Sequence, residues 1–126
     1  MLSCAELVAF VASRDLDAAD RFYGGVLGLE RVDSSVFANV YDAHGTQLRV
    51  TRVEELSPAP YTVLGWRVDD IVAEIETLLV AGVAFKRYEA MTQDEHGVWT
   101  SPAGARIAWF TDPEGNVLSL QQAASV

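Results

Sequence analysis

Asp112-Pro113-Glu114-Gly115-Asn116 separates two apolar segments, residues 105–111 and 117–121, and constrains the fold more than any other stretch. Proline fixes one backbone angle, while glycine and asparagine accept positive ones. The chain therefore turns back on itself there, and the flanking segments are expected to pair as a hairpin. Residues 36–42 and 46–53 repeat the pattern, as strands around the Ala43-His44-Gly45 turn.

The same order of elements runs twice along the chain. In the first half, residues 5–13 read as a strand, with Leu7, Val8, Ala9, Phe10 and Val11 nearly unbroken. Asp15 is placed to cap a helix, because its carboxylate can accept amide protons of the first turn. Leu16, Ala19, Phe22 or Tyr23, and Val26 then recur at helical spacing, and Gly24, Gly25 and Gly28 are expected to end that helix. Pro58 and Pro60 mark a linker over 57–60, since proline denies donors to a sheet.

The second half opens with a strand over 61–68. Asp69 or Asp70 caps a helix whose apolar face carries Ile71, Ile75, Leu78 and Leu79, and Gly82 stops it. Strands are expected over 83–88 and 97–101, around a polar loop at 89–96, before the closing hairpin. The chain thus divides into two strand-helix-strand-strand-strand modules, about 5–56 and 61–122. Asp15-Leu16 corresponds to Asp70-Ile71, and the strand after Gly45 to the strand after Gly115. Two such units point to duplication within an α+β domain. A doubly wound parallel sheet is disfavoured, because only one helix separates each run of strands.

A chain of 126 residues, half of them hydrophobic, is one domain with enough material for a core. No run approaches ~20 apolar residues, so no membrane span is expected. Glu6 and the lack of a basic start argue against a signal peptide. The lone Cys4 cannot form an internal disulfide, which suits a reducing cytoplasm. Eighteen acidic against nine basic residues give a net charge of −9, which disfavours nucleic acid and anionic membranes as partners.

Three motifs occur in order. They are Arg14-Asp15-Leu16 with Arg21-Phe22-Tyr23 and Val26-Leu27-Gly28-Leu29; Trp66-Arg67-Val68-Asp69-Asp70; and the closing run from Phe110 to Leu120. Together they resemble the vicinal oxygen chelate superfamily, which includes glyoxalase I, bleomycin-resistance proteins and extradiol dioxygenases. The resemblance covers nearly the whole chain. It implies two βαβββ modules, each curling its sheet into a half-barrel, with the two forming a cup. It also implies a homodimer.

Metal-dependent members of that superfamily line the cup with His, Gln or Glu from four strands. The corresponding positions here are Val8 (or Leu7), Arg49, Val63 and Ser119. Aliphatic side chains offer no lone pair, guanidinium repels a cation, and a neutral serine hydroxyl is a poor ligand by itself. No metal or other cofactor is therefore expected, although a displaced divalent site is an alternative. Strand alternation puts Gln47, Arg49 and Thr51 on one face of their strand, Val63, Gly65 and Arg67 on another, and Val117, Ser119 and Gln121 on a third. Trp99 and Trp109 are candidate aromatic walls. Gln47, Arg49, Arg67, Trp99, Trp109 and Ser119 are the expected contacts for a small organic ligand, held as in the bleomycin-resistance branch. The alternative is a lyase, isomerase or dioxygenase using a displaced metal or Glu95 and His96 as an acid-base pair, since histidine titrates near neutrality. His44 reads as a turn residue. Gly24-Gly25 lacks the context of a dinucleotide site.

Overall fold

The computed structural model describes residues 1–125. The chain divides into two compact units, Met1–Ser57 and the part beginning at Pro58. Each is a four-stranded mixed sheet with one principal helix, in an α+β fold of two βαβββ modules.

The first unit begins with a single 3₁₀ turn, Leu2–Cys4. It continues through β1 (Val8–Ser13), α1 (Leu16–Asp20), β2 (Glu30–Ser34), β3 (Ala38–Ala43) and β4 (Thr46–Arg52). The sheet order is β1-β4-β3-β2, with β1 parallel to β4 and the other pairs antiparallel. Asp15 caps α1 by accepting the amide protons of Asp17 and Ala18 at 3.0 and 3.1 Å. The β3–β4 turn is the two-residue His44-Gly45 loop, with φ of 52° and 92°. Positive angles at both residues match the twist of the flanking strands.

The second unit contains β5 (Thr62–Arg67), α2 (Ile71–Val80), β6 (Trp99–Thr100), β7 (Arg106–Thr111) and β8 (Val117–Gln122). Its order, β5-β8-β7-β6, repeats that of the first sheet, again with one parallel pair, β5 and β8. Asp70 caps α2 through the amide of Ala73. Gln122 Oε1 accepts the Ile71 amide at 2.9 Å and ties the start of α2 to the last strand. The face of β7 and β8 carrying Ala108, Phe110, Leu118 and Leu120 is buried, as are Ile71, Ile75 and Leu78 of α2.

The closing turn is built around Asp112. Its Oδ1 accepts the amides of Glu114 and Asn116, both at 2.9 Å, and its Oδ2 accepts the Asn116 side-chain amide at 2.8 Å. Gly115 sits at φ 90°, which explains the glycine.

Five elements depart from the sequence reading. The first strand starts at Val8, and Leu7 and Phe10 are 75% and 61% exposed, so the apolar run does not enter the core as a block. The first helix does not stop at Gly24-Gly25 but continues as a π-helix, Arg21–Val26. A Cβ at Gly24 would stand 3.0 Å from Asp20 Oδ1 and 3.7 Å from the Tyr41 ring. The bare glycine leaves room for Tyr41 Oη to donate to Asp20 at 2.8 Å. Strand β2 has no counterpart in the reading above. All five of its residues are exposed on a sheet edge, so no period-2 pattern marks it.

The expected strand over 83–88 is only an isolated bridge from Phe85 to Phe110. Beyond it the Gln93 side chain takes the place of a strand. Its Oε1 accepts the Tyr88 amide at 2.7 Å, and its Nε2 donates to Lys86 O at 3.0 Å and Gly97 O at 2.8 Å. The strand expected over 97–101 shrinks to the two residues of β6.

Candidate functional site

Register places the candidate residues more firmly than alternation alone. In the second sheet, Gly65 pairs with Ser119 and Ser119 with Trp109, forming one row across three strands. The next row runs Arg67, Gln121, Ile107, Trp99. Partners in a ladder share a face, so Arg67, Ser119, Trp99 and Trp109 lie together, opposite the face that α2 covers. Val63 falls at the irregularity between Thr62 and Leu64 and belongs to neither row.

Trp109 is half-buried and is held by aromatic neighbours. Tyr88 meets it edge-on at 5.5 Å between ring centroids, and Trp99 lies tilted at 6.4 Å. Lys86 Nζ sits 5.6 Å from the Tyr88 ring centroid, within cation–π range. Burial raises the pKa of the Tyr88 hydroxyl above the ordinary phenol value. Tyr88 and Lys86 were missed at the sequence level. Their segment reads as a strand, but a single bridge, the Lys86 amide donating to Trp109 O at 2.7 Å, and the Gln93 clamp hold it beside Trp109. On the other side of Trp99, Thr92, Gln93, Asp94, Val98 and Thr100 complete the lining of a depression of ≈ 300 Å³. Ser119 is buried, and its hydroxyl lies over Gly65, whose hypothetical Cβ would be 2.7 Å from Oγ.

In the first unit, Gln47 pairs with Val8 and Asp42, and Arg49 with Phe10 and Val40. Gln47 and Arg49 therefore share one face of their sheet, with Leu48 and Val50 buried on the other. Val8 lies on the Arg49 face, one row away. The positions that correspond to metal ligands, Val8 and Arg49, carry an alkyl group and a guanidinium; in the second unit, Val63 and Ser119 carry an alkyl group and one serine hydroxyl. These side chains do not fit a divalent cation, which wants several imidazole or carboxylate ligands. Among the described residues no group of three or more His, Cys, Asp or Glu side chains is placed to hold a metal.

Glu95 and His96 lie elsewhere. His96 Nε2 is 3.7 Å from Glu76 Oε1 on α2, and His96 Nδ1 is 3.9 Å from Glu95 Oε1. The pair is thus beside the helix that covers the opposite face from Trp109. Arg87 anchors the same loop by donating to Glu95 O at 2.9 Å. Arg106 and Asp94 approach to 3.8 Å. His44 occupies the exposed β3–β4 turn.

Beneath the first sheet lies a separate polar cluster. Tyr41 is fully buried, and burial together with the Asp20 carboxylate pushes its hydroxyl well above the usual phenol range. Asn39 Nδ2 donates to Tyr41 Oη at 3.3 Å and to Leu16 O at 2.9 Å, and Arg31 pairs with Asp20 at 3.2 Å. These groups tie the helix to the sheet and offer no open site.

Known proteins share this fold. Residues 6–120 match the family described as Glyoxalase/Bleomycin resistance protein/Dioxygenase superfamily. A superfamily member from Sphaerobacter thermophilus DSM 20745 superposes with a TM-score of 0.74 at 24% identity, covering 98% of this chain and 100% of that one. Lactoylglutathione lyase from Agrobacterium tumefaciens gives 0.75 at 18% identity, covering 95% and 94%. A glyoxalase/bleomycin resistance protein/dioxygenase from Alicyclobacillus acidocaldarius gives 0.73 at 19%, covering 97% and 93%. At these identities the likeness is one of fold. No curated protein matches the chain.

Proposed function

The chain belongs to the Glyoxalase/Bleomycin resistance protein/Dioxygenase superfamily, and we propose that it is a member that binds a small organic ligand without the usual metal. The observation that carries this reading is the row Gly65–Ser119–Trp109, flanked by Tyr88 and Trp99. It combines half-buried aromatic walls with a few placed polar groups, the usual make-up of a small-molecule site. The donor chemistry at Val8, Arg49, Val63 and Ser119 supports the metal-free part. Ligand contacts come from Trp99, Trp109, Ser119 and Arg67.

A homodimer is part of the same proposal. Edge strand β1 and its approach leave Leu7 and Phe10 largely exposed, apolar area that a second copy would cover. Light scattering at micromolar concentration should give twice the mass of the chain, and a monomeric mass would remove this part.

The ligand reading is tested by calorimetric titration of 2-naphthol, a neutral planar probe, into protein kept in EDTA. Saturable binding is expected, weakened at least about fivefold in Trp109→Ala, in line with ~1 kcal/mol for an aromatic contact. Absence of binding, or equal binding by the variant, would count against it.

A further inference from the structure

We propose that the ≈ 300 Å³ depression beside Trp99 binds a primary ammonium group, held between the Asp94 carboxylate and the hydroxyls of Thr92 and Thr100. This goes beyond the ligand reading above and stands without it. The walls belong to one short hairpin. Gln93 forms an antiparallel bridge with Trp99, and the Asp94 amide donates to Val98 O at 2.9 Å. Thr92 therefore stands opposite Thr100, and Asp94 opposite Val98. Partners across an antiparallel pair share a face, so these four side chains lie together and alternate with Gln93 and Trp99. Val98 is buried and gives that face an apolar floor.

The oxygens around that floor set the ligand's chemistry. Asp94 Oδ1 is occupied, accepting the amides of His96 and Val98 at 2.9 Å each. Asp94 Oδ2 accepts no hydrogen bond among the described residues. Arg106 Nη2 approaches it to 3.8 Å, beyond hydrogen-bond reach. The hydroxyls of Thr92 and Thr100 also make no hydrogen bond among the described residues, and both residues are exposed. Of the described residues that line the depression, Asp94 alone is charged. Arg87, the other guanidinium near this turn, is directed to the carbonyls of Gln93 and Glu95. Three oxygen acceptors, one of them anionic, match the three N–H donors of a primary ammonium, whose charge strengthens each bond. An anion would meet the carboxylate, and a quaternary ammonium has no N–H to donate. A small apolar group attached to the ammonium would lie against Val98.

The test is calorimetric titration of the intact chain at neutral pH with benzylamine and two controls of similar shape. Benzyl alcohol lacks the charge, and benzyltrimethylammonium keeps the charge without an N–H donor. Benzylamine should saturate, and both controls should bind at least about tenfold more weakly, the loss expected when charge-assisted hydrogen bonds are removed. Asp94→Asn keeps an Oδ1 for the two turn amides, so the hairpin persists, and benzylamine should weaken about tenfold. Replacing both hydroxyls, Thr92→Val with Thr100→Val, should weaken it about fivefold. Arg106→Gln removes the competing guanidinium and should tighten benzylamine about threefold, the scale of an exposed charge pair. Saturating 2-naphthol should leave benzylamine bound, whether or not 2-naphthol itself occupies the aromatic face. No saturable binding, equal binding of benzyltrimethylammonium, or displacement by 2-naphthol would overturn this proposal. So would an affinity unchanged in both Asp94→Asn and the double valine variant.

Discussion

Gly65 and Ser119 are partners in the parallel β5–β8 ladder, and a methyl group on Gly65 would stand 2.7 Å from the Ser119 hydroxyl oxygen. The two positions are thereby coupled in sequence as well as in space. With serine at 119, Gly65→Ala must rotate that hydroxyl into another rotamer, which offsets the gain in strand propensity. With Ser119→Ala the obstruction is gone, and Gly65→Ala should stabilise by up to about 1 kcal/mol. Urea unfolding of the four proteins should return a coupling of about 0.5–1 kcal/mol. Simple additivity would show that the hydroxyl does not occupy that space.

Tyr41 should make the protein lose stability in alkali. Its pKa is raised in the folded state above the ordinary 10.0, first by burial and then by Asp20. Above pH about 10 the unfolded chain releases this proton while the folded chain keeps it, so the unfolded state is favoured as pH rises. The contribution is complete below that pH and diminishes at up to about 1.4 kcal/mol per pH unit until the folded group also titrates. Tyr41→Phe should flatten this part of a stability–pH profile. An unchanged alkaline slope in the variant would place the titration elsewhere.

Gln93 holds the segment that carries Tyr88. Its three hydrogen bonds, to Tyr88 N, Lys86 O and Gly97 O, cannot be replaced by alanine. Gln93→Ala should cost about 1–3 kcal/mol and speed amide exchange at Tyr88 selectively. Aromatic-probe affinity should fall with it, because Tyr88 braces Trp109. Undiminished protection at Tyr88 would mean that the backbone is held by other contacts.

Asp112 should be the costliest polar position in the closing turn. It accepts from Glu114 N, Asn116 N and Asn116 Nδ2, and both Asp112 and Asn116 are buried. Asp112→Ala leaves those donors unsatisfied and should destabilise by about 2–4 kcal/mol. Asp70→Ala, which removes only a helix cap, should cost about 1 kcal/mol. Equal losses in denaturant unfolding would contradict this ranking.

These residues also show what the sequence could reveal. The closing turn was legible because proline, glycine and asparagine each demand a particular backbone, and the caps at Asp15 and Asp70 for the same local reason. Strand β2 was not, because an exposed edge strand buries no face and so carries no periodic signal. Residues 83–88 have the composition of a strand, but beyond the bridge at Phe85 the Tyr88 amide is taken by the Gln93 side chain, which no local pattern announces. Alternation picked out Arg67 and Ser119, and Trp99 and Trp109 stood out only as aromatic candidates. The closeness of Ser119 to Gly65 needed the register between β5 and β8, and Tyr88 needed the Gln93 clamp.

The central claim, that Val8, Arg49, Val63 and Ser119 hold no divalent metal, is tested most directly by the thermal midpoint of chelator-stripped protein. Mn²⁺, Fe²⁺, Ni²⁺ and Zn²⁺ would be added separately. The midpoint should stay flat for each. A rise that saturates at one metal per chain would contradict the account, since a site filled at 100 times its Kd would add about 2.7 kcal/mol.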